Sequence, residues 1–267
     1  SLTSLAADIE KRGGQLHLSR GRPDVILAQL AEATGTDLVC CSRHYEPWAR
    51  LLEEQLHDAL SRTGVVLKRY SGALLWEPET IKNKAGTPFK VFTPFWRKCR
   101  VLTVAETSTF RADFVTWAAY EAPSLRIADL ELLPMTPNWA PDWEQMWQPG
   151  ERGAARKLKV FMRGAIAQYD SGRNYPARGA TSGLSPHLHF GEIAAHRVFC
   201  TVREAELVDP QLGDEAEKFL SELGWREFSH HLLFHFPTMP THAFKSDFDA
   251  FPWIGGADAL SAWQQGK

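Results

Sequence analysis

Over the first seventy residues the apolar positions switch repeatedly between two periods. In "SLTSLAADIEKRG", Leu2, Leu5 and Ile9 recur at helical spacing before Gly13 and Gly14. "QLHLS" alternates apolar and polar positions and predicts a short strand. "DVILAQLAEATG" returns to helical spacing, with Asp24 near its start and Gly35 at its end. "DLVCCS" is a continuous apolar run of the kind that forms a buried strand in a parallel sheet. "PWARLLEEQLHDALSRTG" sets Leu52, Leu56 and Leu60 one turn apart, and "VVLKRY" predicts another strand. The order α-β-α-β-α-β argues for a doubly wound α/β layer on a thin sheet of three strands.

The pattern changes between residues 105 and 155. Pro123, Pro134, Pro137, Pro141 and Pro149 interleave with Trp117, Trp139, Trp143 and Trp147. Such a stretch is no Gly/Ser linker; it predicts a connector that packs as it runs. From about Glu151 the periodicity is helical, in "RGAARKLKVFMRGAIAQY", "SPHLHFGEIAAHRVFCTVREAE" and "DEAEKFLSELGWREFSHHLLFHF". No strand pattern of similar strength follows. The expected organisation is an α/β unit over 1–104, a connector over 105–155 and an all-α unit over 156–267.

Composition narrows the class without naming a chemistry. A hydrophobic share of 44% in 267 residues suits a globular chain with a sizeable core, and ten Trp with fifteen Phe suggest aromatic-lined surfaces or dense packing. There is no apolar run of bilayer length and no charged-then-apolar leader, so a soluble, cytoplasmic monomer is expected. Cys40, Cys41, Cys99 and Cys200 show no CxxC pairing and read as reduced core thiols. His187 and His189 form an HxH, and His230, His231 and His235 cluster, but neither group has the Cys or carboxylate spacing of a zinc site. HExxH, GxSxG, Walker A and GxGxxG are absent. Charge is uneven. Residues 151–203 hold nine Lys or Arg against three Asp or Glu, a surplus of six on a chain whose net charge is −2. A basic zone beside aromatic segments is compatible with a polyanionic partner.

Two short stretches concentrate the chemistry. In "ELGWREF", Glu222, Trp225, Arg226 and Ser229 fall at i, i+3, i+4 and i+7, on one side of a helix. A solvated face has little use for Trp, and a core face does not want an acid and a base. In "YDSGRNYPARGATSGLSPHLHFGEI", Thr181, Ser182 and Ser185 crowd around Gly183 and lead into Pro186, with Ser185 expected as N-cap. Hydroxyls, a flexible Gly and a fresh helix N-terminus together make an anion site, or simply a well-capped helix after a turn. Tyr169, twelve residues upstream of Thr181, could add a ring or a hydroxyl to the same ligand.

"TSGLSPHLHFGEI", "ELGWREF" and "AWQQGK", preceded by "KVFTPFWR" and "WQPGERGA", resemble the DNA photolyase/cryptochrome family, and most of all a class I cyclobutane pyrimidine dimer photolyase. Five motifs in order, from about residue 88 to the last, carry the likeness, and the N-terminal pattern suits the family's Rossmann-like antenna domain. The resemblance implies a helical domain that binds FAD, with Tyr169, Thr181, Ser182, Gly183, Leu184 and Ser185 at flavin-binding positions. Phe219 stands at another, which is often Trp. It implies UV-damaged DNA as partner: Arg173 for a phosphate, Glu222 and Trp225 to grip a flipped pyrimidine dimer, Arg226 and Ser229 nearby. Trp253, in "FPWIGG", matches the outer member of the family's Trp electron chain. Glu222 favours the cyclobutane dimer over the (6-4) lesion, where Gln is expected.

The same resemblance shows departures. The family has further sequence before the equivalent of Ser1 and continues past Lys267, so the chain reads as an internal fragment, a partial antenna domain plus an incomplete FAD-binding domain, expected to be inactive alone. The Asn-Glu pair that binds a folate antenna in some members is Trp48-Ala49 here, which argues against folate while leaving a second antenna chromophore open. A cryptochrome, a flavin photoreceptor without repair activity, is the competing expectation.

Overall fold

The computed structural model describes residues 1–104, 115–118, 120, 123–133, 136, 138, 141–252 and 255–267. Its first unit contains α1 (Leu2–Glu10), α2 (Pro23–Thr34), β1 (Leu38–Ser42), α3 (Pro47–Ser61) and β2 (Val66–Tyr70). Helix α2 begins at Pro23, where the missing N–H removes nothing the helix needs, and stops at Gly35, whose φ of 65° is left-handed. The two strands pair in parallel, from Leu38 opposite Val66 to Ser42 opposite Tyr70. Ala31, Leu56, Leu60 and Val65 form a small core, with Val39 and Leu67 of the sheet packed against it.

The fold class matches the expectation, an α/β unit followed by helices, but the sheet does not. Two strands form among the described residues, and "QLHLS" is extended coil. Leu18 donates to Ser124 Oγ at 2.9 Å and accepts from the Leu125 amide at 2.9 Å. One such exchange with a loop is not a ladder, so no strand results. Nor is β1 buried on both sides: its exposure alternates, with Val39 and Cys41 half-buried and Leu38, Cys40 and Ser42 exposed. The thiol expectation changes with it, since Cys99 is a core residue while Cys40 faces out and Cys41 and Cys200 are half-buried.

The remaining helices are α4 (Phe92–Cys99), α5 (Trp143–Met146), α6 (Glu151–Arg163), α7 (Tyr169–Gly172), α8 (Ser185–His189), α9 (Ala195–Val208), α10 (Gly213–His235) and α11 (Ala257–Gln264). Among the described residues no strand follows Tyr70, and no helix is long and apolar enough to cross a membrane. The larger core joins Phe95, Trp96 and Cys99 of α4 to Leu158 and Phe161 of α6, Val198 and Val202 of α9, and Phe219, Leu220 and Phe228 of α10. Helix α10 is its spine, burying Ala216, Phe219, Leu220, Leu223, Gly224, Glu227, Phe228 and His231 at helical spacing. Near its C-terminal end it also holds the first unit: Arg50 Nη1 donates to the Phe234 carbonyl at 3.2 Å, and His235 Nε2 bonds the Pro78 carbonyl at 3.0 Å.

Gly224 explains how closely α4 approaches α10. A Cβ there would lie 2.5 Å from Cε3 of Trp96. Gly224→Val is therefore expected to destabilise the protein by at least the ~1–3 kcal/mol of core overpacking, measured by denaturant unfolding. An unchanged midpoint would show that α4 moves aside freely.

Candidate active site

A cavity of about 880 Å³ opens between the loop after β1 and the helical unit. Arg43, Tyr45 and Trp48 line one side, and Tyr169, Ser182, Leu184, Ser185, Phe219, Glu222 and Arg226 line the other. Seven residues singled out from the sequence, spread over nearly sixty positions, thus share one wall. Trp48 is 67% exposed and Ala49 is buried, and neither carries the amide or carboxylate oxygens of an Asn-Glu pair.

The loop 181–185 is built differently from the expected cap. Ser185 is the first residue of α8; the cap position belongs to Leu184, which makes no side-chain cap bond. Burial of the Leu184 side chain, only 1% exposed, holds it at the helix entry. Because α8 has five residues, its dipole is small, and any anion-binding capacity rests on the hydroxyls and the loop amides. Ser182 Oγ accepts from the Leu184 amide at 3.3 Å, and Gly183 turns the chain with a φ of 62°. A Cβ on Gly183 would stand 2.6 Å from Cε of Lys157 and 3.3 Å from its Nζ. Lys157 thus brings an ammonium to the back of this loop. Sequence reasoning missed it; the only available signal was the basic surplus of residues 151–203. Thr181 is exposed, and neither Thr181 nor Gly183 is on the cavity wall.

Tyr169 is buried edge-on to Phe161 at 5.8 Å and Phe219 at 5.2 Å, and that burial pushes its phenol pKa up. The Arg173 guanidinium lies 5.5 Å from the Tyr169 ring centre and forms an ion pair with Glu222. The Glu222 carboxylate holds that guanidinium above its ordinary pKa, against a small opposing effect of burial. Lys218 Nζ stands 4.0 Å from the same carboxylate. The acid and the base singled out for two separate contacts are bound to each other.

The "ELGWREF" side divides in two, because successive residues differ by about 100° and only part of the stripe faces inward. Glu222 and Arg226 reach the cavity. Trp225 is 46% exposed and stacks on Phe92 with ring centres 3.7 Å apart and planes 10° apart, away from the cavity wall. Ser229 turns back onto its own helix, donating to the Trp225 carbonyl at 2.9 Å. Arg226 Nη1 donates to Glu227 Oε1 at 2.8 Å, and its Nη2 to the Ala73 carbonyl at 2.8 Å. Glu227 is 3% exposed and accepts from the Leu75 amide at 2.7 Å. Burial pushes its carboxyl up to about 7, while Arg226 and the Leu75 and Trp76 amides act the other way. The sequence offered one clue, since Glu227 occupies the same helical phase as Leu220, Leu223 and Gly224. Trp253 lies outside the described residues.

Comparison with known proteins gives these features a context. Residues 1–110 match the model of the DNA photolyase family, and residues 219–267 match the FAD binding domain of DNA photolyase. The deoxyribodipyrimidine photo-lyase of Agrobacterium fabrum is 36% identical over 266 residues, which is 100% of this chain and 55% of that protein. Cryptochrome-1 of Arabidopsis thaliana is 26% identical over 287 aligned positions, covering 100% of this chain and 40% of that protein. The crystal structure of a bacterial class III photolyase from Agrobacterium tumefaciens superposes with a TM-score of 0.90 at 36% identity, over 100% of this chain and 55% of that one. The sequence motifs resemble class I, whereas this solved relative is class III. The chain spans about half the length of the photo-lyase relatives it matches.

FAD is the cofactor of this family, and the cavity can be tested against it. Its volume falls within the roughly 300–1,000 Å³ of small-molecule sites. Its wall supplies what such a ligand needs: apolar and aromatic faces from Leu184 and Phe219, hydroxyls from Ser182 and Ser185, and a cation from Arg226. The residues present fit. Two family models matched in order, and a superposition running the whole length of the sequence, lead to one conclusion: the chain belongs to the DNA photolyase/cryptochrome family.

Proposed function

We propose that this chain carries part of the flavin site and part of the lesion site of a deoxyribodipyrimidine photolyase, which repairs cyclobutane pyrimidine dimers in DNA with light. The observation that carries the reading is the shared wall of Tyr169, Ser182, Ser185, Phe219, Glu222 and Arg226. When bound, reduced FAD supplies a photoexcited electron that splits the cyclobutane ring and then returns.

The chain's own residues have simpler work. Ser182 and Ser185 hydrogen-bond the cofactor's diphosphate, and Lys157 offsets its charge from behind the loop. Tyr169 and Phe219 supply apolar surface, and their mutual edge contacts hold them in place. Glu222 accepts hydrogen bonds from the edge of an extruded base, and Arg173 turns from Glu222 to a phosphate. Extrusion is cheaper for a dimer, whose stacking and pairing are already weakened. Trp225 offers a base nearly half of its indole surface, with Phe92 bracing the ring from one side.

Trp225→Ala is expected to weaken binding to dimer-containing DNA by about 1–3 kcal/mol, the worth of one stacked base, and to leave undamaged DNA unaffected. Fluorescence titration of both duplexes reads this, alongside blue-light repair of the damaged one. Equal losses on both duplexes, or a large fall in thermal stability, would make Trp225 a packing partner of Phe92 and nothing more. The cryptochrome reading is supported by the Arabidopsis relative. Tight FAD binding with no preference for dimer-containing DNA and no repair would decide for it.

A further inference from the structure

A second groove, of about 600 Å³, lies on the outer face of α6 and α9 and shares no residue with the cavity above. Arg156, Lys159 and Arg163 of α6 and Arg197 of α9 line it, all four exposed, with Met162 and Thr201 among the residues between them. No Asp or Glu lines it. Among the described residues, none of these four cations has an ion pair or a side-chain hydrogen bond. Other arginines of the same helices do. Arg152 of α6 pairs with Asp8 at 3.0 Å, and Arg203 of α9 with Glu206 at 2.7 Å and Glu217 at 3.3 Å. Acids are therefore supplied along these helices and withheld at the groove.

Like charges gathered around a concavity repel one another, and the concave walls focus their field outward. An exposed cation elsewhere is simply solvated; four around one groove leave a local surplus that a polyanion would neutralise. Arg156, Lys159 and Arg163 stand at i, i+3 and i+7, a line of about 10 Å along the helix axis at 1.5 Å per residue. That is the length of several phosphates along one nucleic-acid strand, spaced about 3.4 Å along its axis. The planar guanidinium forks of three arginines suit phosphate oxygens better than a solvated lysine face would.

We infer that the α6–α9 groove is a second nucleic-acid contact, which holds the phosphodiester backbone without reading bases or damage. The inference rests on the reading of the protein as a DNA-binding photolyase, but it concerns a different face. Such a contact acts on undamaged and damaged duplexes alike, and each phosphate engaged adds about 0.9 to the slope of log affinity against log salt.

The test replaces Arg156, Lys159, Arg163 and Arg197 together with Gln. Binding to undamaged and dimer-containing duplexes is then titrated over a range of salt, and circular dichroism confirms that the helices remain. The expected result is an equal loss of affinity on both duplexes and a fall in salt slope of about three to four. A charge-conserving variant, Arg156→Lys with Arg163→Lys and Arg197→Lys, should keep most of the slope; its failure to do so with its helices intact would mean the surplus charge is not what binds. If the Gln variant loses helicity, the pair Arg163→Gln and Arg197→Gln is read instead, with a slope reduced by about two. An unchanged slope overturns the inference, and so does a loss confined to dimer-containing DNA. The underlying reading fails separately, if the unsubstituted protein shows no preference for the dimer.

Discussion

Glu227→Ala is expected to lower the unfolding free energy by about 2–5 kcal/mol, the range of large-to-small substitutions in a core, with an orphaned buried amide contributing to it. The carboxyl is the acceptor that the buried Leu75 amide and Arg226 share, at 2.7 and 2.8 Å. Removing it leaves the amide with no acceptor, which alone costs about 1–3 kcal/mol. It also leaves the Arg226 guanidinium with the Ala73 carbonyl but no counter-charge. The missing side-chain volume adds a cavity between α10 and the segment at 73–75. Glu227→Gln keeps the size and an oxygen for Leu75, so it should recover part of the loss. Denaturant unfolding of the three proteins checks this. A loss below about 1 kcal/mol in the Ala variant would mean water or another group replaces the carboxyl.

Ser182→Glu is expected to strip the flavin. The new carboxylate would project from the cavity wall where the diphosphate is proposed to lie. Two like charges about 4 Å apart at an effective dielectric near 20 repel by about 4 kcal/mol, close to a thousandfold in affinity. Ser182→Ala is the control: it loses one hydrogen bond, about 0.5–1.5 kcal/mol, and should retain the cofactor. Absorption in the flavin bands of the purified proteins distinguishes the two. Stoichiometric FAD in the Glu variant would remove this loop from the flavin site.

What the sequence revealed, and what it hid, follows from the range of the interactions. Helices α2, α3, α6 and α10 were legible because their apolar positions repeat within the element itself. The turn at Gly183 into a helix and the placing of Glu222 and Arg226 on one helix side were legible for the same reason, since glycine and helical phase are local. The cap was not, because Leu184 is held at the helix entry by its burial rather than by a side-chain bond. "QLHLS" failed because a strand is made by its neighbour, and the neighbour of Leu18 is an irregular segment at Ser124 and Leu125. Lys157 was missed because its partner loop lies 26 residues along the chain and packs on it only after α6 folds back. Glu227 was missed because its acceptor role depends on Leu75, 152 residues away. Ser229 was over-read, since helical phase gives direction but does not reveal that a hydroxyl is already bonded to its own helix.

The ion pair between Arg173 and Glu222 also sets the distance at which this part of the cavity can act on a partner. Two opposite charges in contact form a dipole, and a dipole's field fades with distance faster than that of either charge. In solution at physiological salt, where the screening length is about 8 Å, little of it extends beyond that distance. If Glu222 and Trp225 discriminate a lesion as proposed, they do so by touch. Long-range capture has to come from unpaired charge elsewhere on the surface, and the four cations between α6 and α9 are charge of that kind. On the proposed reading, drawing a duplex in and inspecting it would be separable steps on separate faces: salt would tune the first, and the geometry of the lesion would decide the second.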